Sequence, residues 1–405
     1  MKNNTTPDKL TKTRLRHLRA QAAQQLLTIG LDCGDYTIHY CIINHQGHIE
    51  AQGKFATSKA ALNALFAQLP PTFVVLEAGT HSPWISRHLE SLGHQVCVAN
   101  PRNVALISQS KRKNDRVDAE KLARLGRADP KLLSPIQHRS EQTQLDLLVI
   151  RSRDQLVGCR TALVNSVRGL VKPFGERLPA CDADYVNTEL LADLPDNLRP
   201  GLEAMLQAIE ALTTQIHALD LKIHQMAQRY PEIQLITPID GVGELTALTF
   251  LLTIEDVTRF NKSREVGAYL GLVPGQSQSG DSDPQQRITK QGDPLVRKLL
   301  VQCAHCIMRH NAADSDLHRW GIKKLEEQNA QPNSWSKNRK GKGKGKKRIL
   351  VAIARPPRRP DAPLTRYRRS LRPPVSGQTT TPPGGVETVL WSVCQRHVWV
   401  TACSR

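Results

Sequence analysis

Between residues 26 and 130 the chain alternates β-rich and helix-like stretches in an order that few folds accommodate. Leu26-Leu-Thr-Ile-Gly-Leu31 reads as a strand, Tyr36-Thr-Ile-His-Tyr-Cys-Ile-Ile43 as a second, and Gly47-His-Ile-Glu-Ala-Gln-Gly53, after a turn, as a third. Ser58 to Leu69 has helical spacing through Leu62, Leu65 and Leu69. Phe73-Val-Val-Leu76 is the fourth strand, followed by a helix near Pro83 to Leu92 and the short strand Gln95-Val-Cys-Val98. A helix within Lys113-Asn-Asp-Arg-Val-Asp-Ala-Glu-Lys-Leu-Ala123 closes the unit.

Acidic residues stand at chosen places in this pattern. Asp32 ends the first strand and Glu77 the fourth; Asp115 and Asp118 are three apart on the closing helix, so they share a face. Carboxylates at adjacent strand ends, facing a helix with two more, can hold one or two Mg²⁺ ions through hard oxygen ligands. Paired metals steady the attacking and leaving oxygens of a phosphoryl transfer. Asp35 reads as a turn residue and His81 as a lone loop histidine. The element order, with acids on the first strand, the fourth strand and the last helix, is that of a ribonuclease-H-like nuclease.

Length and composition bound the rest. The 405 residues suffice for two or three domains, with aliphatic cores because aromatics make up only 4%. No apolar stretch reaches transmembrane length and Met1 to Gln25 lacks the apolar centre of a signal peptide, so a cytoplasmic protein without a membrane partner is expected. Nine cysteines without a framework fit a reducing compartment. Of the net charge of +19, residues 335–405 carry +15, with 17 Lys and Arg against Asp361 and Glu387. That tail attracts phosphate without choice of sequence.

Residues 141–229 read as long helices. In the second, Leu202, Met205, Ile209, Leu212, Ile216, Leu219, Ile223 and Met226 keep spacings of three and four, a coiled-coil seam. Its partner is either the preceding helix, through Leu145, Leu148, Leu156, Cys159, Leu163, Val167 and Leu170, or another subunit. Residues 235–330 read as a mostly helical domain. It opens with Gly241-Val-Gly243, either the hairpin of a helix-hairpin-helix, whose backbone N–H groups hold a phosphate, or a plain helix start. Leu270-Gly-Leu-Val-Pro-Gly-Gln-Ser-Gln-Ser-Gly280 is a polar loop with Ser277 and Ser279. Arg287, Lys290, Arg297 and Lys298 follow it. A loop serine beside such cations can attack a phosphodiester, although most loop serines are turn residues. Cys303-Ala-His-Cys306 lies on an apolar helix without a second ligand pair, which makes core cysteines of it rather than a zinc site.

These segments together resemble the DEDD-type insertion-sequence transposases, RNA-guided serine recombinases, over roughly residues 26 to 355. The motifs are Gly30-Leu-Asp32, Leu76-Glu-Ala78, Asn114-Asp-Arg-Val-Asp-Ala119, Gly241-Val-Gly243, Gly271-Leu-Val-Pro274, Gln278-Ser-Gly280 and Arg287-Ile-Thr-Lys290. The resemblance puts the family's Mg²⁺-binding acids on Asp32, Glu77, Asp115 and Asp118, and its catalytic serine on Ser279, with Ser277 as rival. It implies a RuvC-like α/β domain of ribonuclease-H fold (26–135), a helical coiled-coil region (141–229) and a serine-containing transposase domain (235–330), between what composition reads as a basic N-terminal extension (1–25) and a basic, disordered tail (335–405). It also implies a phosphoserine link to double-stranded DNA at element ends and target, a structured noncoding guide RNA, and a homo-oligomer assembled through the coiled coil. Gly241, Gly243, Arg287, Lys290, Arg297 and Lys298 are the expected nucleic-acid contacts. The rival readings are a hydrolytic RuvC-like nuclease of the junction-resolvase type and an inactive nucleic-acid-binding remnant. The remnant is raised by the abrupt turn to Pro, Arg, Thr and Gly after Arg355, which is either a shifted reading frame or a divergent but genuine tail.

Overall fold

The computed structural model describes residues 12–23, 27–102, 115–280, 282, 286–330 and 349–354. The chain divides into two units, Met1–Ser140 and Glu141–Arg405. Asn114 lies outside the described residues, as do residues 335–348 and 355–405 of the expected tail, whereas residues 349–354, within the stretch expected to be disordered, are helical and buried in the core of the second unit.

The first unit contains helix α1 (Lys12–Ala23), strands β1 (Leu27–Cys33), β2 (Thr37–Asn44) and β3 (Ile49–Ala56), helix α2 (Lys59–Phe66), strand β4 (Phe73–Glu77), helix α3 (Ser82–Ser91), strand β5 (Gln95–Ala99) and helix α4 (Asp115–Ala128). The sheet order is β3-β2-β1-β4-β5. β2 runs antiparallel to β1 and β3, whereas β4 is parallel to β1 and β5 to β4. Strand alternation divides the side chains between two faces. Ile29, Leu31, Ile38, Tyr40, Ile42, Val74 and Leu76 pack with Leu62, Phe66, Ile85 and Leu89 from α2 and α3. On the opposite face Cys41 and Ile43 meet Ala119 and Ala123 of α4, and Val75 meets Leu122. α1 buries Leu18 and Ala22 completely in the first of these cores. The folded unit therefore starts within what the sequence reads as a basic extension. Few apolar residues in a cationic segment suffice for one helix face, too few to stand out as a pattern.

His94 links α2 to the sheet as a neutral imidazole. Its Nε2 lies 3.1 Å from the Phe66 carbonyl, and the Thr72 N–H donates to Nδ1 at 3.3 Å. Burial holds its pKa below the ordinary 6.5. The unfolded chain thus binds the proton more readily, and stability present above pH 6.5 is lost as the pH falls from there through the folded value. Urea denaturation of the full chain between pH 7.5 and 5 is expected to show this loss, and His94→Gln should flatten it. An unchanged slope in the variant would assign the acid sensitivity elsewhere.

The second unit begins with two long helices, α5 (Glu141–Leu170) and α6 (Arg199–Ala227), packed antiparallel. Leu147 and Ile150 share a cluster with Ile223 and Met226, while Val164 and Val167 share one with Leu202, Leu206 and Ile209. Arg153 and Asp220 form an ion pair at 2.8 Å between them. Within the chain α6 thus packs on the preceding helix. The face of α5 agrees with expectation only in part: Val167 is buried and Leu163 packs beside it, whereas Leu145, Leu148 and Leu170 are exposed and Leu147, Ile150 and Val164 are inside. Beyond lie α7 (Glu244–Ile254), α8 (Ser263–Tyr269), α9 (Pro294–Ile307) and α10 (Asp316–Ala330). Asp146, almost fully buried, receives Arg229 at 2.7 Å and the Tyr230 hydroxyl at 2.5 Å, which fixes the end of α6 against α5. Among the described residues no helix is long and apolar enough to cross a membrane.

Candidate active site

The acids of the first unit are positioned by two glycines. A Cβ on Gly30 would lie 2.1 Å from the Ala119 carbonyl oxygen and 2.5 Å from the Ala123 nitrogen, so α4 crosses β1 backbone to backbone. A Cβ on Gly126 would lie 2.4 Å from a Val75 methyl, so the helix also sits close on β4. With Gly30 facing α4, period two puts Asp32 on the same face at the end of the strand, and Val75 does the same for Glu77 on β4. The close crossing brings the first turn of α4, with Asp115 and Asp118, over that end.

One oxygen each of Asp32 and Asp115 and a ring nitrogen of His39 lie within 4.8 Å of one another. His39 is directly opposite Asp32 in the antiparallel register, and its Nδ1 is 3.7 Å from Asp115 Oδ2. Two carboxylates and an imidazole fit a divalent cation. Glu77 and Asp118 stand outside this group of three. Glu77 is on the adjacent strand, and Asp118 pairs with Lys121 at 3.1 Å. Burial drives the Cys33 thiol pKa up to about 12, and the negative charges of Asp32 and Glu77 add to it, so both carboxylates act on one point. Asp35 turns away to His81, whose Nε2 is 3.2 Å from its Oδ1 while Trp84 donates to Nδ1 at 3.1 Å. His81 is therefore a link between two loops. His39 was missed in the sequence, although a tight turn at Gly34 and Asp35 would set it opposite Asp32.

Among the described residues the serine loop of the second unit folds back on itself as a hairpin with isolated antiparallel bridges, Pro274 to Ile288 and Ser279 to Ser282. Thr289 N–H bonds to the Val273 carbonyl and Gly275 N–H to that of Arg287, both at 2.9 Å, and Lys290 N–H bonds to Gly271 at 3.1 Å. At the other end Ser279 and Ser282 exchange two backbone bonds of 3.1 Å around Gly280, whose φ is +54°. Ser277 and Ser279 are exposed. The hairpin base is rigidly placed: a Cβ on Gly271 would lie 2.2 Å from the Gln291 oxygen, and one on Gly292 2.1 Å from the Tyr269 oxygen. Lys290 holds φ at +55°, uncommon for a residue with a side chain, and is exposed beside exposed Arg287.

Other expected contacts have internal partners. One Arg297 nitrogen donates to the carbonyls of Leu270, Gln291 and Gly292, bracing the hairpin base. Lys298 pairs with Asp154 at 2.5 Å. Gly241, at φ +78°, packs where a Cβ would come within 2.7 Å of the Cys306 side chain, while Gly243 is exposed at the cap of α7. Cys303 is buried in the core and Cys306 lies beside Gly241, as an apolar helix requires.

Residues 29–174 match a transposase family (DEDD_Tnp_IS110), and residues 233–319 match the family described as Transposase IS116/IS110/IS902. The chain is 30% identical over 294 residues to the transposase for insertion sequence element IS1328 of Yersinia enterocolitica, covering 69% of this chain and 84% of that one. It is 28% identical over 317 residues to the transposase for insertion sequence element IS1111A of Coxiella burnetii, covering 76% and 85%. A pilin gene-inverting protein of Moraxella bovis is 25% identical over 340 residues, covering 81% and 92%. These likenesses define a DNA transposase, an enzyme of DNA transposition and recombination. The chain belongs to the IS110/IS116/IS902 family of insertion-sequence transposases.

Proposed function

We propose that this transposase cuts and rejoins DNA through a covalent phosphoserine intermediate on Ser279, with Mg²⁺ held by Asp32, Glu77, Asp115 and Asp118. The observation that supports the reading is the exposed Ser279, held by reciprocal backbone bonds with Ser282 at the end of a loop whose base packs backbone against backbone. A nucleophile held this way loses little entropy on meeting its phosphate. Ser279 Oγ bonds to phosphorus, the bond to one deoxyribose oxygen breaks, and that oxygen leaves with the serine proton. A strand hydroxyl then attacks the phosphoserine and returns the proton to Ser279, so the phosphodiester is conserved and no ATP is consumed. Exposed Arg287 and Lys290 balance charge on the phosphate. Bound Mg²⁺ would stabilise the charge that develops on the reacting oxygens.

The α/β unit is read as a RuvC-like domain of ribonuclease-H fold, supported by the mixed sheet with acids at the ends of β1 and β4 and on α4. Its proposed extent is 26–135, followed by the helical region 141–229 and the serine domain 235–330. The exposed Leu145, Leu148 and Leu170 support assembly of a homo-oligomer along α5. Gly243, Arg287 and Lys290 are proposed to contact double-stranded DNA or a guide RNA encoded beside the gene.

Co-expression with a plasmid carrying the joined element ends and their flanking DNA is expected to give an SDS-resistant protein–DNA adduct. Ser279→Ala should remove the adduct and lower recombination about a thousandfold or more. Asp32→Ala should remove it as well. Metal-dependent nicking that survives Ser279→Ala without an adduct would establish the hydrolytic nuclease instead.

A further inference from the structure

The carboxylate site contains a donor that a set of four acids lacks. We infer that His39 is a nitrogen ligand of the ion held by Asp32 and Asp115, and that it makes Mn²⁺ the better-bound ion over Mg²⁺. The inference rests on the proposed use of these acids as metal ligands.

Three independent parts of the chain converge to make this group. Asp32 ends β1, His39 lies across from it in β2, and Asp115 starts α4. Directly opposed residues of an antiparallel pair hold their Cβ atoms about 5 Å apart. Ile38 and Tyr40 point into the other core, which leaves His39 on the α4 face with Asp32. The α4 backbone packs directly on Gly30, which sets the first turn of the helix, with Asp115, beside the pair. Two donors on one ion with bonds of about 2.1 Å lie about 3 Å apart when adjacent and about 4 Å when opposite. The 3.7 Å between His39 Nδ1 and Asp115 Oδ2 falls in that interval. His39 is partly accessible, with 23% of its side chain exposed, so an ion can reach the ring.

Donor chemistry then sets the ion. Mg²⁺ demands oxygen ligands in near-ideal octahedral geometry, whereas first-row transition ions accept imidazole nitrogen beside carboxylates. Replacing one oxygen by nitrogen therefore weakens Mg²⁺ relative to Mn²⁺.

The test uses the full-length protein with Mn²⁺ alone as the probe and no DNA. Pulsed EPR of bound Mn²⁺ should show ¹⁴N modulation from a directly coordinated imidazole, lost in His39→Ala and His39→Gln. Mn²⁺ affinity should fall about tenfold in both variants, while Mg²⁺ affinity, measured by competition, should change less than about twofold. Asp32→Asn should abolish binding of both ions. Mn²⁺ bound through Asp32 without nitrogen modulation, or modulation that persists in His39→Ala, would overturn the His39 assignment and leave the acidic site standing. No Mn²⁺ or Mg²⁺ binding, with both variants folded like the wild type, would overturn both.

Discussion

Replacing Gly30 by alanine is expected to destabilise the α/β unit by about 3 kcal/mol or more, within the upper range for overpacking a core. The added methyl would meet the Ala119 carbonyl oxygen at 2.1 Å and the Ala123 nitrogen at 2.5 Å. Both are backbone atoms inside a helix, so no side chain can swing aside. Either β1 or α4 must move, and each is fixed by other contacts: β1 is hydrogen-bonded on both edges, and α4 packs Leu122 and Ala123 into the sheet. Any movement also separates Asp115 from Asp32, so metal affinity should fall even in whatever fraction remains folded. Gly126→Ala is the graded comparison, because its obstacle is a Val75 methyl that can yield. Gly158→Ala, in the open middle of α5, should instead stabilise by about 0.5–1 kcal/mol. Urea denaturation with Mn²⁺ titration separates these cases. Wild-type stability in Gly30→Ala would show that the β1–α4 contact is looser than backbone against backbone.

The same contact explains what the sequence could and could not reveal. Asp32 and Glu77 were legible because each ends a run of aliphatic residues, and a polar group ending such a run stands at the rim of a sheet. Asp115 and Asp118 were legible as a pair because three residues apart on a helix is one face. His39 was hidden inside a β-rich run, where only the strand register, set by the turn before it, tells which residue it faces. The first half of the α5 face differs from the sequence reading because apolar residues occur on two sides of that helix, whereas Val167 and Leu163 lie inside as expected. Leu145 and Leu148 continue a spacing as well as Leu147 and Ile150 do, and only packing against Ile223 and Met226 selects between them. Arg297 and Lys298 read as phosphate contacts because a cation near a glycine-rich loop carries no mark of its internal partners. In the structure one braces carbonyls and the other an aspartate.

Ending the chain after Arg355 is expected to leave the stability of the second unit within about 0.5 kcal/mol of the full-length protein, whereas ending it after Arg348 should cost about 5 kcal/mol. Residues 349–354 bring Ile349, Leu350, Ile353 and Ala354 into one core with Ile254, Phe260, Met308 and Leu317. Each buried Ile or Leu is worth about 1.5–3 kcal/mol by removal of apolar surface from water, and the lower part of that range is used because unfolded chains already bury some of it. Gly321 on α10 shows how closely the segment seats: a Cβ there would lie 2.9 Å from Ile353 and 2.4 Å from the Met308 sulfur. The sequence separates this stretch from the rest by a run rich in Lys and Gly, so its place in the core had no local signal beyond the brief apolar run itself. Denaturant midpoints of the two truncations, measured beside the full chain, decide the matter. Equal stability of the chain ending at Arg348 would mean that Ile349 to Ala354 merely cover a core complete without them. A loss already present in the chain ending at Arg355 would assign a stabilising role to the residues after it, which a shifted reading frame would not supply. If only the shorter truncation is destabilised, the stretch that matters for folding ends where the family resemblance ends, and the residues beyond Arg355 can vary without disturbing the unit that carries Ser279.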